Sequence, residues 1–304
     1  MQRRYRTIDQ RLKEVDDGPC VLTVFANPDD AEKRYLIEEL KLDEHTLNSA
    51  LDPDELSRLE FEPEHVALIF KRPKSYSSTD DFLFKVSSVG AFLFKDRLVI
   101  VLAEDVPLFD GQQALRGQTP AFLLLRLMYR TIFHFLEHLK IIATISDELQ
   151  IKINRAMENR HLINLFTLEK SLVYYLNSIN TNGALLEKLR LNAPKIGFSP
   201  EELELLDDTQ IENSQCYKQA EIYSNIVASL MDARASIAGN NLNVLMKTLN
   251  MITIGIMVPT FVVSAFSMNV PIPMQHHPLA FYLIMTLAVF SALVFFVVWR
   301  RRGW

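Results

Sequence analysis

The chain has 304 residues, 49% of them hydrophobic, and its 32 Lys and Arg against 37 Asp and Glu give a formal net charge of −5. Three of the cations, Arg300, Arg301 and Arg302, are bunched at the end; without them 29 basic residues face 37 acidic ones, a balance of −8. An acidic body argues against nucleic acid as a partner and fits a cation, although the same excess also serves plain solubility.

Gln2-Arg3-Arg4-Tyr5 is not followed by an apolar run, so no cleavable signal peptide is expected. Residues 1–118 mix short apolar runs with short helices and predict a cytoplasmic α/β domain. Residues 21–25 read as a buried strand, and Asn27-Pro28-Asp29-Asp30 as a turn that starts an amphipathic helix over 31–40. Further strands are expected at 67–70, 82–86, 91–94 and 98–102, with Lys95-Asp96-Arg97 as a hairpin turn. The two cysteines, Cys20 and Cys216, have no disulfide or metal-ligand spacing and read as reduced and incidental. The domain shows no phosphate-cradling glycine loop, nucleophile elbow or His/Cys cluster, so an enzyme is the least expected class.

From Thr119 the pattern turns helical. Thr119 is an N-cap with Pro120 at the first helical position, and apolar residues recur from Leu123 through Ile142 to about Leu191. Residues 119–198 are therefore cytoplasmic helices, with Asn182-Gly183 as a break. Ser199-Pro200-Glu201-Glu202 is a capping box, and no further proline occurs before Pro259. A single helix is expected from Pro200 to about Met268, roughly 100 Å long at about 1.5 Å per residue. Its first part, 199–243, is a stalk.

Between Lys247 and Arg300 there is no Asp, Glu, Lys or Arg. Within that stretch, 244–268 and 279–299 each hold about 20 residues, enough to cross a hydrocarbon core of about 30 Å. The loop 269–278 joins them and a basic tail, 300–304, follows. Positive residues flank the hairpin at Lys247 and at Arg300, Arg301 and Arg302, and none lies in the loop, which places both termini in the cytoplasm and the loop outside. The expected architecture is an α/β cytoplasmic domain followed by long stalk helices and two transmembrane α-helices.

Along the first span, Asn243, Met246, Asn250, Thr253, Met257, Thr260, Ser264 and Ser267 recur at alternating steps of three and four, one seam of a supercoiled bundle. Polar side chains in hydrocarbon are costly unless they face a bundle interior or a water-filled path. Two readings stay open at this point. The seam lines a pore, or its Ser, Thr and Asn hold helices together.

Pro259-Thr260 and the closing Phe266-Ser267-Met268-Asn269 resemble the CorA family of magnesium channels, whose first span ends in Gly-Met-Asn before a short loop, a second span and a basic tail. Asn243, Met246-Lys247 and Leu249 are similar to that family's pattern at the start of the span. So are Asp52-Pro53-Asp54-Glu55-Leu56 and the run from Val86 to Leu93 in the first domain. The resemblance implies a homopentameric funnel in the lipid bilayer, with the first span lining the pore and the second packed outside it. It places a filter at Ser267, Met268 and Asn269, and a narrow gate at Met246 and Leu249. It also implies closure by cytoplasmic magnesium, with Asp208 and its neighbour Asp207 at a sensing site and Asp232 near the inner mouth. Two departures stand out. The family's glycine is Ser267 here, and the loop carries His276 and His277 instead of acidic residues.

The expected function is a divalent-cation channel or transporter with Mg2+ as default ion, moving hydrated ions and gated by cytoplasmic divalent ions. A transition-metal transporter of the same family, such as one for zinc, and a transport-inactive membrane scaffold are the alternatives.

Overall fold

Leu98, Val99, Ile100, Val101 and Leu102 are all buried, because both faces of their strand are covered. In the computed structural model, which describes residues 2–8, 11–15, 18–77, 81–106, 108, 119–155, 159–269 and 277–301, that strand is β7 of a mixed sheet. The others are β1 (Gln2–Ile8), β2 (Arg11–Glu14), β3 (Leu22–Ala26), β4 (Arg58–Phe61), β5 (Val66–Pro73) and β6 (Val86–Leu93). Among the described residues the order is β2-β1-β3-β7-β6-β5-β4. β3 and β7 run parallel, Val24 opposite Ile100, and every other neighbouring pair is antiparallel. A strand buried on both faces has to be apolar throughout, which is why this one was legible as an unbroken run.

α1 (Asp30–Glu38) and α2 (Glu44–Leu51) cover one face, packing Leu36, Leu40 and Leu47 on Phe25, Phe92 and Val101. α1 starts on a capping box, with Glu32 N donating to Asp29 Oδ1 at 2.8 Å and Asp29 N donating to Glu32 Oε2 at 3.1 Å. Gly90 lets α2 approach β6, since a Cβ there would stand 2.5 Å from Ala50 Cβ. The other face carries α3 (Pro120–Arg155), α4 (Asn159–Leu191) and the first part of α6 (Pro200–Phe266), with α5 (Ala193–Ile196) between them. α3 begins as expected, Phe122 N donating to Thr119 Oγ1 at 3.1 Å.

Three expectations need correction. Residues 82–85 are not a strand: Asp81 and Phe82 take positive φ, and β6 starts at Val86 and runs unbroken to Leu93, absorbing the strand expected at 91–94. Phe84 is apolar for another reason, stacking on Tyr76 with ring centroids 4.0 Å apart while Ser171 Oγ accepts its N–H at 3.0 Å. β1, β2 and β4 were not anticipated; β1 and β2 are charged segments, and in β2, the edge strand, charge guards against further pairing.

Asn182-Gly183, expected as a break, lies inside continuous helix. Asn182 is buried and clamps β5: Lys71 N and Ser57 Oγ donate to its Oδ1 at 2.8 Å each, and its Nδ2 donates to Lys71 O at 2.8 Å. Gly183 makes room for α6, since a Cβ would meet Asn213 Nδ2 at 2.9 Å.

A second buried polar pair joins α3 to α4. His138 Nδ1 lies 2.6 Å from the Tyr175 hydroxyl. Burial raises the tyrosine's ionisation well out of range, so the hydroxyl keeps its proton and donates. Burial, with lesser repulsion from His134 and Arg72, pushes His138 down to about 4, which keeps the imidazole neutral to receive that bond.

The chain divides into two compact units, Met1–Met231 and Asp232–Trp304. α7 (Ala280–Arg301) belongs to the second, and the dividing point falls inside α6.

Candidate functional site

The long helix starts where its sequence places it. Ser199 N donates to Glu202 Oε2 at 2.7 Å, Glu202 N donates to Ser199 Oγ at 3.3 Å, and Thr119 Oγ1 also bonds Glu202, tying the starts of α3 and α6 together. Through the first unit α6 buries Leu206, Thr209, Asn213, Cys216, Ala220 and Val227. The steps are three, four and seven, so one face meets the body throughout. Burial pushes the Cys216 thiol up to about 12, leaving it protonated and inert. The helix is continuous from Pro200 to Phe266, close to the expected length.

Beyond Met231 no residue of α6 is buried. Asn243, Met246, Leu249, Asn250, Thr253, Met257, Thr260 and Ser264 all lie on it and all are exposed. Exposure here is not uniform around the helix. Met251, Gly255, Val258, Val262 and Phe266 are half-buried and mark the side that meets α7. A Cβ on Gly255 would stand 3.2 Å from the Phe295 ring, and Val258 and Val262 share an apolar groove with Leu287, Phe290 and Val294. At about 100° per residue, the centre of the polar seam lies about 200° around α6 from that side. The seam and the α7 contact are therefore on opposite faces of one helix.

The hydroxyls on the seam are already oriented. Thr253 Oγ1 donates to Leu249 O at 2.9 Å, Thr260 Oγ1 to Ile256 O at 2.7 Å, and Ser267 Oγ to Ser264 O at 2.9 Å. Each proton is used within the helix, so each oxygen turns acceptor lone pairs outward. Pro259 lies inside the helix and has no N–H, which leaves the Gly255 carbonyl without its usual partner one turn earlier.

α6 ends at Phe266. Ser267 N donates to Ser264 O at 3.1 Å in a tightened last turn, and Ser267, Met268 and Asn269 follow the helix, all exposed. Ser267 is not among the non-glycine residues with positive φ, so serine in place of the family's glycine carries no left-handed strain. The loop over 270–276, including His276, lies outside the described residues; His277 Nδ1 accepts from Leu279 N at 3.3 Å at the start of α7. Arg300 and Arg301 fill the last turn of α7, where their charge suits the helix C-terminus, and Arg302 lies outside the described residues.

The acidic candidates do not come together. Asp207 is engaged by Arg190, Nε to Oδ1 at 2.6 Å and a second nitrogen to Oδ2 at 3.2 Å. Asp208 and Asp232 are exposed. Among the described residues no group of three His, Cys, Asp or Glu could hold a metal ion. One chain does not make the sensing site. Sequence reasoning missed Arg190, whose link to Asp207 arises only because α4 and α6 run antiparallel.

Among the described residues two helices are long and apolar enough to cross a membrane, α6 and α7. The sequence matches the family model described as CorA-like Mg2+ transporter protein over residues 23–302. It is 24% identical, over 98% of this chain and 96% of the relative, to the cobalt/magnesium transport protein CorA of Methanocaldococcus jannaschii. The complete structure of the CorA magnesium transporter from that organism superposes with a TM-score of 0.85 at 20% identity, covering 100% of this chain and 98% of the other. The full-length CmaX protein superposes with a TM-score of 0.76 at 16% identity, covering 100% and 97%.

Proposed function

The chain belongs to the family of CorA-like Mg2+ transporters, and from that premise we propose that it is a divalent-cation channel, with Mg2+ as default cargo, whose pore is lined by the seam of α6. The observation that carries this reading is the placement of the seam opposite α7, with every one of its side chains uncovered in a single chain. Uncovered Asn, Thr and Ser in hydrocarbon are too costly to leave facing lipid. Copies of the chain arranged as a homopentamer, with α7 outermost, would enclose them around water.

The chemistry suits a hydrated cation. Mg2+ sheds its waters reluctantly, so a pore passes it most easily with its inner shell kept. Thr253, Thr260 and Ser267 present acceptor oxygens, which take hydrogen bonds from those waters and disfavour anions. Met246, Leu249 and Met257 are apolar points on the same side of the helix and serve as constrictions that gate by losing water. Asn269 lies three residues past the helix end, where a ring of carboxamides would meet the ion entering from outside. The family's activity is transport, and no catalytic role is assigned to any residue. The termini are read as cytoplasmic from the positive residues at Lys247 and Arg300 to Arg302.

Regulation by cytoplasmic Mg2+ is the finer part of the reading. Asp208 is one chain's exposed contribution, and the remaining ligands would come from a neighbouring copy. Asp207, held by Arg190, acts as a support. A second reading, transition-metal transport, draws on Ser267 and the His276-His277 pair, soft enough for zinc, cobalt or nickel. The test is flux of Mg2+, Co2+, Ni2+ and Zn2+ into liposomes holding the purified full chain, with and without a proton gradient. Mg2+ entry driven by membrane potential supports the channel; flux of none of the four supports a scaffold.

A further inference from the structure

We infer that the groove between α6 and α7 binds an anionic phospholipid, with one acyl chain along α7 and the headgroup phosphate at Arg301. The inference rests on the reading above that α6 and α7 cross a membrane. The groove lies wholly within the second unit, and its walls are Val258 and Val262 of α6 and Leu287, Phe290, Val294 and Val298 of α7. It measures about 490 Å³, within the ~300–1,000 Å³ usual for small-ligand sites. Ser291, also in the wall, donates its hydroxyl proton to Ala288 O at 2.7 Å, which leaves a lining suited to hydrocarbon.

Along α7 the wall from Leu287 to Val298 runs about 16 Å at about 1.5 Å per residue, close to half of a hydrocarbon core of about 30 Å. That is the depth of one leaflet, and so the reach of one acyl chain. Arg301 is exposed and lies one turn past Val298. At about 100° per residue, Leu287, Phe290, Val294, Val298 and Arg301 fall within an arc of about 80°. A cation thus stands in line with the groove at the end of α7, where the headgroup of a lipid seated in it would sit. Basic residues where a cleft between spans meets the headgroup layer suit anionic lipids. Two observations favour lipid over a second copy of the chain. Helices that pack closely in a bilayer do so over Gly, Ala, Ser or Thr, whereas these walls are Val, Leu and Phe, whose uneven surface suits a flexible chain. Between Lys247 and Arg300 the sequence has no Asp or Glu, so the spans of a second copy bring no anion to Arg301, while a lipid phosphate does.

The experiment uses the full chain purified in detergent, with native mass spectrometry counting the lipids bound per chain as phosphatidylglycerol or phosphatidylcholine is added. Phosphatidylglycerol should bind about five-fold more tightly or better. Arg301→Gln should remove most of that preference. Arg300→Gln should remove much less, because Arg300 starts about 100° around the helix from Arg301 and off the groove. Val294→Trp, at an exposed position, fills the groove and should weaken both lipids alike. Equal binding of the two lipids by the native chain overturns the inference, and so does a Val294→Trp chain that binds both as before. Equal losses in the two arginine variants also overturn it, leaving general charge attraction only. Disulfide formation between copies carrying Val294→Cys and Cys20→Ser, unchanged by added phosphatidylglycerol, would assign the groove to a second copy; Cys216 is buried and stays in place. A full chain that remains in solution without detergent and does not enter vesicles overturns the membrane reading itself, and this inference with it.

Discussion

α6 is one helix made under two sets of rules. From Pro200 to Met231 it follows the logic of a soluble protein, with Leu206, Cys216, Ala220 and Val227 buried and charged residues such as Glu204 and Asp208 outside. From Asp232 to Phe266 nothing is fully buried, and only the side that meets α7 is even half-covered. The first half therefore carries its own explanation. The second half has none within one chain, because its polar seam needs water and its apolar faces need lipid and neighbours. Function should concentrate where a single chain leaves the physics incomplete, and stability where it does not.

The largest effect expected from that contrast is at the helix end. Asn269→Ala removes the exposed carboxamide proposed for the outer mouth without touching any packed residue. Uptake of Mg2+ should be abolished while size-exclusion and crosslinking show the oligomer intact; unaltered flux would remove Asn269 from the filter. The matching change in the first half is Asn182→Ala. It strips partners from the buried N–H and C=O of Lys71, and at ~1–3 kcal/mol for each unsatisfied group the body should lose about 3 kcal/mol. Thermal unfolding of the full chain in detergent reads this loss, and flux per folded molecule should stay normal. A flux defect at unchanged stability would break the division of labour between the two halves.

The pH dependence of stability should also belong to the body. Exposed, His138 titrates near 6.5; folded, burial holds it neutral down to about 4. Between those values the unfolded chain binds more protons, so stability is full above pH 6.5 and falls as pH drops through the window, by about 2 kcal/mol on reaching pH 5. His65, lowered by burial in the same direction, adds to the slope. Melting temperature from pH 7 to pH 5 should decline less steeply in His138→Gln, and parallel curves for the two proteins would exclude His138 as the cause.

Asp208 and Asp207 test whether function also reaches into the first half. Asp208→Ala should raise the internal Mg2+ needed for closure several-fold. Asp207→Ala should do less, because its exposed pair with Arg190 contributes only ~0.2–1 kcal/mol. Equal dose curves for Asp208→Ala and the native chain would take Asp208 out of the sensor.

What was legible in the sequence follows the same line. The two spans, the capping box at Ser199 and the buried strand Leu98–Leu102 are signalled by local chemistry, with uncharged runs and caps that need no knowledge of the fold. β1 and β2 were hidden because their charged sequences lack the apolar alternation that marks a half-buried strand. Asn182-Gly183 looked like a turn because Asn and Gly favour turns when alone; here one bonds a strand edge far off in sequence and the other yields space to α6. The polar seam was readable from spacing, but its placement opposite α7 needed Gly255 and Phe295 in three dimensions. On the proposed reading the partners that complete it belong to other copies, which no single chain displays.

The smallest effect should come from Ser267→Gly, which restores the residue the family carries. Had Ser267 been forced to positive φ, glycine would relieve strain at every copy. It is not, and its N–H and hydroxyl both bond the Ser264 carbonyl, closing the helix as serine can and glycine only in part. Stability should therefore stay equal or fall by up to about 1 kcal/mol from the added chain freedom. What the substitution removes is one acceptor oxygen per chain beside Asn269. If that oxygen meets the ion's waters, the preference for Mg2+ over Co2+ should shift by a few-fold at unchanged stability. If preference does not move, the hydroxyl lies outside the path and the carboxamide alone decides which hydrated ion enters.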